Sequence, residues 1–196
     1  MSESQHTQIE IKRAAQMSAA EFTIGSVGHA FKIPLTGQVL SLNQLGFLLN
    51  ILNKDQLPLG SVFEVSGIAA LLKTFSPVGK KLGPMLSIAM QGFLFWFGNF
   101  IFRGTFIGQI LGALLFAFFV FVQPVLTYFL VYGFNVIEMF QFYKNRLQQD
   151  YSFLSQFIYY GFFIIVTLKI FLAISLVCFS YLTKKEIQIL NEDKFK

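Results

Sequence analysis

Three stretches of this sequence are too long and too apolar to be buried inside a chain of 196 residues. Leu82–Phe102 covers about one membrane thickness without a charged side chain. Thr105–Phe140 is longer than one straight span, and its first charge is Glu138. Pro124 is expected to kink it, or its end to leave the bilayer near Glu138. Phe153–Leu182 is interrupted only by Lys169. Composition agrees. Charged residues make up 13% of the chain, against about 25% in soluble domains. The 26 Phe exceed what a soluble core of this size needs, so many must face an apolar exterior, and lipid supplies one.

The basic residues lie in short clusters between the apolar runs, which suits membrane-flanking loops rather than a nucleic-acid face. Cys178 is the single cysteine, so no internal disulfide forms. Residues 1–10 are mostly polar, and no short apolar core with an Ala-x-Ala site follows them. The internal helices are therefore expected to act as the insertion signals.

The first half is less apolar. Ala14–Phe31, Val39–Leu52 and Ser61–Phe75 read as three weaker spans, separated by breaks at Pro34 and Gly37 and at Pro58. Ser76, Pro77 and Gly79 end the third. The first two are expected to be shorter or more tilted than the last three spans. The expected fold is an all-α membrane protein, a bundle of about six transmembrane helices. Residues 1–11 form a polar N-terminal tail, 12–183 a single transmembrane helical domain, and 184–196 a charged C-terminal tail. Loop charges tip both termini weakly toward the cytoplasm.

The weak spans carry Glu21, His29, Gln44 and Glu64. Such segments are stable only inside a bundle or along a wet cavity, so polar function is expected mainly in this half. His29, Gln38, Asn43 and Gln44 cluster around the Ile33–Gly37 turn. A broken helix followed by polar side chains builds a solute site at membrane depth, or equally an interfacial loop wetted by headgroups. Pro34 lacks an N–H and Gly37 allows close backbone approach, so this turn is the expected site. Glu64 and Gln91 are the expected opposite wall, with Trp96 as a stacking surface for a neutral or cationic heteroaromatic solute.

Glu21 and Glu64 either bind a cation, pair with Lys73, or sit near the interface. Lys169 either meets an anionic partner or snorkels. Gln91 and Asn99, eight apart, share one side of a helix and either line a pocket or bond between helices. Ala15 and Ala19 share a helix face, as do Gly104, Gly108 and Gly112. Each face serves either docking of a partner or packing within the bundle. With two His, one Cys and no paired ligand spacing, no metal and no cofactor is expected. The nucleophile-elbow, phosphate-loop and dinucleotide patterns are absent, so the chain is not expected to be an enzyme.

The run HAFKIPLTGQVLSLNQLGF, followed by a third span and then by GPMLSIAMQGFLFWFGNFIFRGTFIGQILGALLF, resembles the substrate-binding (S) components of energy-coupling-factor transporters. The similarity covers roughly residues 12–182. It implies six helices and a first helix whose alanine face, here Ala15 and Ala19, docks on a transmembrane T component. It implies two separate ATPase subunits as further partners. The segment from Gly83 to Gly112 is also similar to the membrane component of cobalt and nickel uptake systems. Those proteins use an amino-terminal Met-His beside the Ile-Pro turn, whereas His29 is internal.

The expected function is a substrate-binding subunit of an ECF-type ABC importer for a small vitamin-like or precursor solute, in a bacterial inner membrane. Two alternatives remain: a structural or assembly multi-pass membrane protein with no transported substrate, and a membrane-embedded enzyme acting on lipid. A closed polar cavity separates the first from the second.

Overall fold

A computed structural model describes residues 3–31, 33, 35–75, 82–133, 135, 138, 141 and 152–194. Among them the chain is helical, in six long helices: α1 (Glu3–Ala30), α2 (Thr36–Asn53), α3 (Gly60–Leu72), α4 (Leu82–Ile101), α5 (Phe106–Tyr132) and α6 (Ser152–Lys194). A single 3-10 turn, Lys73–Phe75, extends α3. Three stretches are long and apolar enough to cross a membrane: Leu82–Ile101, Phe106–Leu130 and Tyr160–Ile187.

Each boundary has a local cause. α2 starts after Leu35, whose left-handed φ of 64° reverses the chain beyond α1. α4 ends where Arg103 (φ 50°) and Gly104 (φ 69°) turn the backbone and the Gly104 N–H bonds Asn99 O at 2.8 Å. Thr105 then caps α5, its hydroxyl accepting from the Gly108 N–H at 3.4 Å. Gly133, at φ 63°, ends α5 well before Phe140, so the long fifth segment is not one helix. Pro124 lies inside α5.

Both expected tails are helical over their described residues. Residues 3–11 belong to α1, because that stretch has tertiary anchors. Ile9 packs on the core, Glu10 accepts from the Ser61 hydroxyl at 2.5 Å, and Arg13 grips Asp55 with two bonds of 2.6 and 2.7 Å. That makes α1 longer than α4, where the first span was expected to be shorter or more tilted than the last three, while α2 and α3 have 18 and 13 residues. Residues 184–194 continue α6, since no Gly or Pro interrupts the good helix formers beyond Leu182. Residues 142–151 and 76–81 lie outside the described residues.

The core joins all six helices. Ala14 of α1, Leu45, Leu48 and Leu49 of α2, and Val62 and Val65 of α3 meet Phe95 of α4, Phe116 of α5 and Val177 of α6. α4 and α5 approach closest. A Cβ on Gly98 would run into the backbone of Gly112, and one on Gly112 would lie 2.6 Å from Phe95 O. Gly92 of α4 similarly admits Ser66 of α3.

The outside is apolar. Phe162, Phe163, Ile164, Phe171 and Phe179 of α6 are exposed, as are Phe93, Phe97 and Phe100 of α4. An exposed apolar surface of this extent marks contact with a membrane or with another protein.

The N-terminal part of α1 and the C-terminal part of α6 lie at one end of the bundle. Arg13 of α1 bonds Asp55 in the α2–α3 connection, and Asn53 at the foot of α2 bonds Ser180 near the end of α6.

Candidate functional site

The alternation of helices sends the C-terminal half of α1, the start of α2, the end of α3, the start of α4 and the second half of α5 to the end away from the termini. A cavity of about 210 Å³ lies among them. Its polar wall holds Glu21, Ser41, Gln44, Lys73, Gln91 and Gln123, with Ser87 beside them. Leu40, Ile88 and Val120 supply apolar wall, and Gly37 and Pro84 complete the lining.

Helical spacing explains this convergence. Gly37, Ser41 and Gln44 fall at i, i+4 and i+7 of α2, and Ser87 and Gln91 at i and i+4 of α4. Gln44 fixes its amide by donating from Nε2 to Ile88 O at 2.9 Å, which joins α2 to α4. Gln123 donates to Gly83 O at 3.2 Å.

Lys73 and Glu21 form an ion pair across the wall, Nζ to Oε2 at 3.5 Å. Both are buried. Lys73 Nζ also reaches Glu21 O at 3.3 Å and lies 5.7 Å from the Phe22 ring centroid. Gln91 differs from its neighbours. It is 1% exposed, and among the described residues its Nε2 has no hydrogen-bond partner. An unpaired buried amide donor carries its full desolvation cost, about 1–3 kcal/mol, so a wall that retains one invites an acceptor.

A second cation stands behind Ser41. Lys169 of α6 is 3% exposed and does not snorkel. Its Nζ donates to Gln38 Oε1 at 2.6 Å and to the Ser41 hydroxyl, and lies 5.9 Å from the Phe121 ring centroid. Among the described residues no carboxylate contacts it.

The residues expected from sequence divide accordingly. Gln44 and Gln91 line the cavity, and Gln38 touches it through Lys169 and Ser41. Glu21, raised as a partner for Lys73, is in the wall. The other expected members lie elsewhere. Glu64 is exposed on α3, because the buried stripe of that helix runs through Ser61, Val65 and Ala69. Trp96 stacks on Phe100 with ring centroids 5.2 Å apart and contacts Phe63 and Phe93 on the outer face. It sits five residues after Gln91, about 140° around the helix, and is not part of the cavity lining. Asn43 lines a separate groove with Leu172 and Leu176 of α6. The side chain of His29 lies outside the described residues. Ala15 and Ala19 are exposed on α1. Gly108 and Gly112 are buried against α4, and Asn99 lies at that crossing, donating to Phe95 O of its own helix at 2.8 Å.

Ser41, Ser87 and Gln123 were missed. The i, i+3/i+4 relation to Gln38, Gln44 and Gln91 was the available signal for the two serines. No cluster of three or more His, Cys, Asp or Glu able to hold a metal occurs among the described residues. No protein-family model matches the chain, and neither a curated protein nor a solved structure does.

Proposed function

We propose that this chain is a multi-pass membrane subunit that captures a small vitamin-like or precursor solute for an importer of the energy-coupling-factor kind. The observation that carries the reading is the Gln91 amide, buried without a partner in the wall of a polar cavity. A purely structural bundle gains nothing from that donor, whereas a binding site fills it. All six helices belong in a bacterial inner membrane, with the termini and the basic end that holds Arg13, Lys54 and Lys184 in the cytoplasm. The cavity then lies in the half nearer the outside. The chain has no phosphate-binding loop, so two ATPases and a transmembrane partner are supplied as other chains. Exposed Ala15 and Ala19 are the proposed docking face for that partner.

A second reading, an assembly protein without a substrate, draws support from the Asn53, Gln109 and Ser180 cluster, whose hydrogen bonds only tie helices together. One experiment separates the two. Protein purified gently from membranes is extracted and its retained small molecules are identified by mass spectrometry. The transport reading expects a solute that Gln91→Leu loses while its thermal stability is unchanged or higher. Equal, empty extracts from both proteins favour the assembly reading.

A further inference from the structure

We infer that the cavity takes a compact, non-aromatic carboxylate with one negative charge. The inference rests on the solute-binding reading and adds the chemical class of the solute. Charge is the first argument. The described wall and its backing hold two ammonium groups, Lys73 and Lys169, and one carboxylate, Glu21. Lys73 is matched by Glu21 at 3.5 Å. Among the described residues Lys169 has only neutral acceptors, Gln38 Oε1 and the Ser41 hydroxyl, and Ser41 is itself a wall residue. A buried cation answered by neutral oxygens alone is poorly compensated at low dielectric. A ligand with one negative charge balances the set.

Donor chemistry is the second argument. Gln91 Nε2 is buried, unpartnered and in the same wall, so the occupant must present an acceptor to it. A carboxylate has two oxygens and about four acceptor sites, enough for Gln91, the Lys73 ammonium and the Ser87 hydroxyl together. A cationic solute would add a third positive group to the set, so the expected cationic heteroaromatic is disfavoured.

Size and surface give the third. At about 210 Å³ the cavity lies below the usual range of roughly 300–1,000 Å³ for drug-sized ligands. In a chain with 26 Phe, none of the described lining residues is aromatic. Leu40, Ile88 and Val120 offer a short aliphatic wall instead.

The test uses matched pairs that differ only in charge: acetate and acetamide, lactate and lactamide, pentanoate and pentanamide. Each is titrated into the purified full chain in detergent, at constant ionic strength, with binding read by calorimetry and thermal shift. The expected result is that at least one carboxylate binds ten or more times tighter than its amide. Lys169→Gln should erase most of that preference while leaving amide binding in place. Gln91→Leu, which removes no charge, should weaken both members of the pair and keeps the test valid if the Lys169 variant does not fold. Amides that bind as tightly as the acids overturn the anion assignment and leave the solute-binding reading intact. Binding by no member of either series also overturns the assignment, and the solute-binding reading is then judged separately by the extraction experiment on Gln91→Leu.

Discussion

Asn53 of α2 and Gln109 of α5 exchange two hydrogen bonds, Nδ2 to Oε1 at 2.9 Å and Nε2 to Oδ1 at 2.8 Å. Both are buried, and Asn53 Nδ2 also donates to the Ser180 hydroxyl of α6 at 2.9 Å. The pair ties three helices at the end opposite the cavity. Removing one amide orphans the other, so Gln109→Leu or Asn53→Leu should each destabilise by about 1–3 kcal/mol. The double variant should lose less than the two single losses combined, with a coupling of about 1 kcal/mol. Unfolding in detergent micelles across the double-mutant cycle measures this, and additive losses would show that the reciprocal bonds carry no energy.

Glycines give a contrast internal to one protein. Gly98→Ala drives a methyl into the Gly112 backbone, which has no flexible side chain to yield. Gly112→Ala meets Phe95 O in the same way. Each should cost about 1–3 kcal/mol or more by overpacking. Gly46 and Gly67 also lie within helices, yet an added Cβ there meets nothing within 4 Å. Their alanine variants should be neutral or stabilising by about 0.5–1 kcal/mol, the helix preference of Ala over Gly. Equal effects at all four positions would remove the close α4–α5 crossing from the account of stability.

What the sequence made legible follows from how each signal arises. The three apolar stretches are properties of composition over about 20 residues, and an apolar helix lies in each, although the second ends at Tyr132 and not at Phe140. Gln44 and Gln91 were recoverable as candidates because an uncharged amide in an apolar run either lines a cavity or bonds between helices, and the fold was needed to choose between the two. Glu64 and Trp96 were misplaced because placing them needs the rotation of a helix about its axis. Burial of Val65 and Gln91 sets that rotation, and neither local sequence nor hydropathy reports it. Arg13 pairing with Asp55 across 42 residues was equally invisible, and with it the helical state of residues 3–11. The partners of Lys169 lie on α2, 128 and 131 residues earlier, so a choice between burial and snorkelling required the fold.

Ala15 and Ala19 test the partner half of the proposed function. They are exposed on α1, one turn apart, while Ala14 and Met17 of the same helix are buried. Ala15→Leu with Ala19→Leu should therefore leave intrinsic stability within about 0.5 kcal/mol. Co-purification with a transmembrane partner and its ATPases should be lost, because bulk on a small-residue face prevents close helix approach. Unchanged assembly at unchanged stability would remove this face as the dock.

The Glu21–Lys73 pair supplies the sharpest test of the charge balance in the cavity. The two side chains are buried 3.5 Å apart, and a symmetric view predicts equal losses from neutralising either one. The surroundings are not symmetric. Glu21→Gln leaves Lys73 and Lys169 in one half of the bundle with no carboxylate between them among the described residues. Breaking a buried pair by removing one partner costs about 3–5 kcal/mol, and Glu21→Gln should fall in that range. Lys73→Gln leaves the Glu21 carboxylate in a wall that still has Lys169 behind it, bonded to Ser41. Its loss should be about half as large. In the double variant Glu21→Gln/Lys73→Gln one of the two uncompensated cations is gone, so it should be more stable than Glu21→Gln alone. Thermal and denaturant unfolding in detergent at matched ionic strength measures all three. If Lys73→Gln is as damaging as Glu21→Gln, the excess positive charge is not felt at this wall, and the case for an anionic occupant loses its electrostatic support.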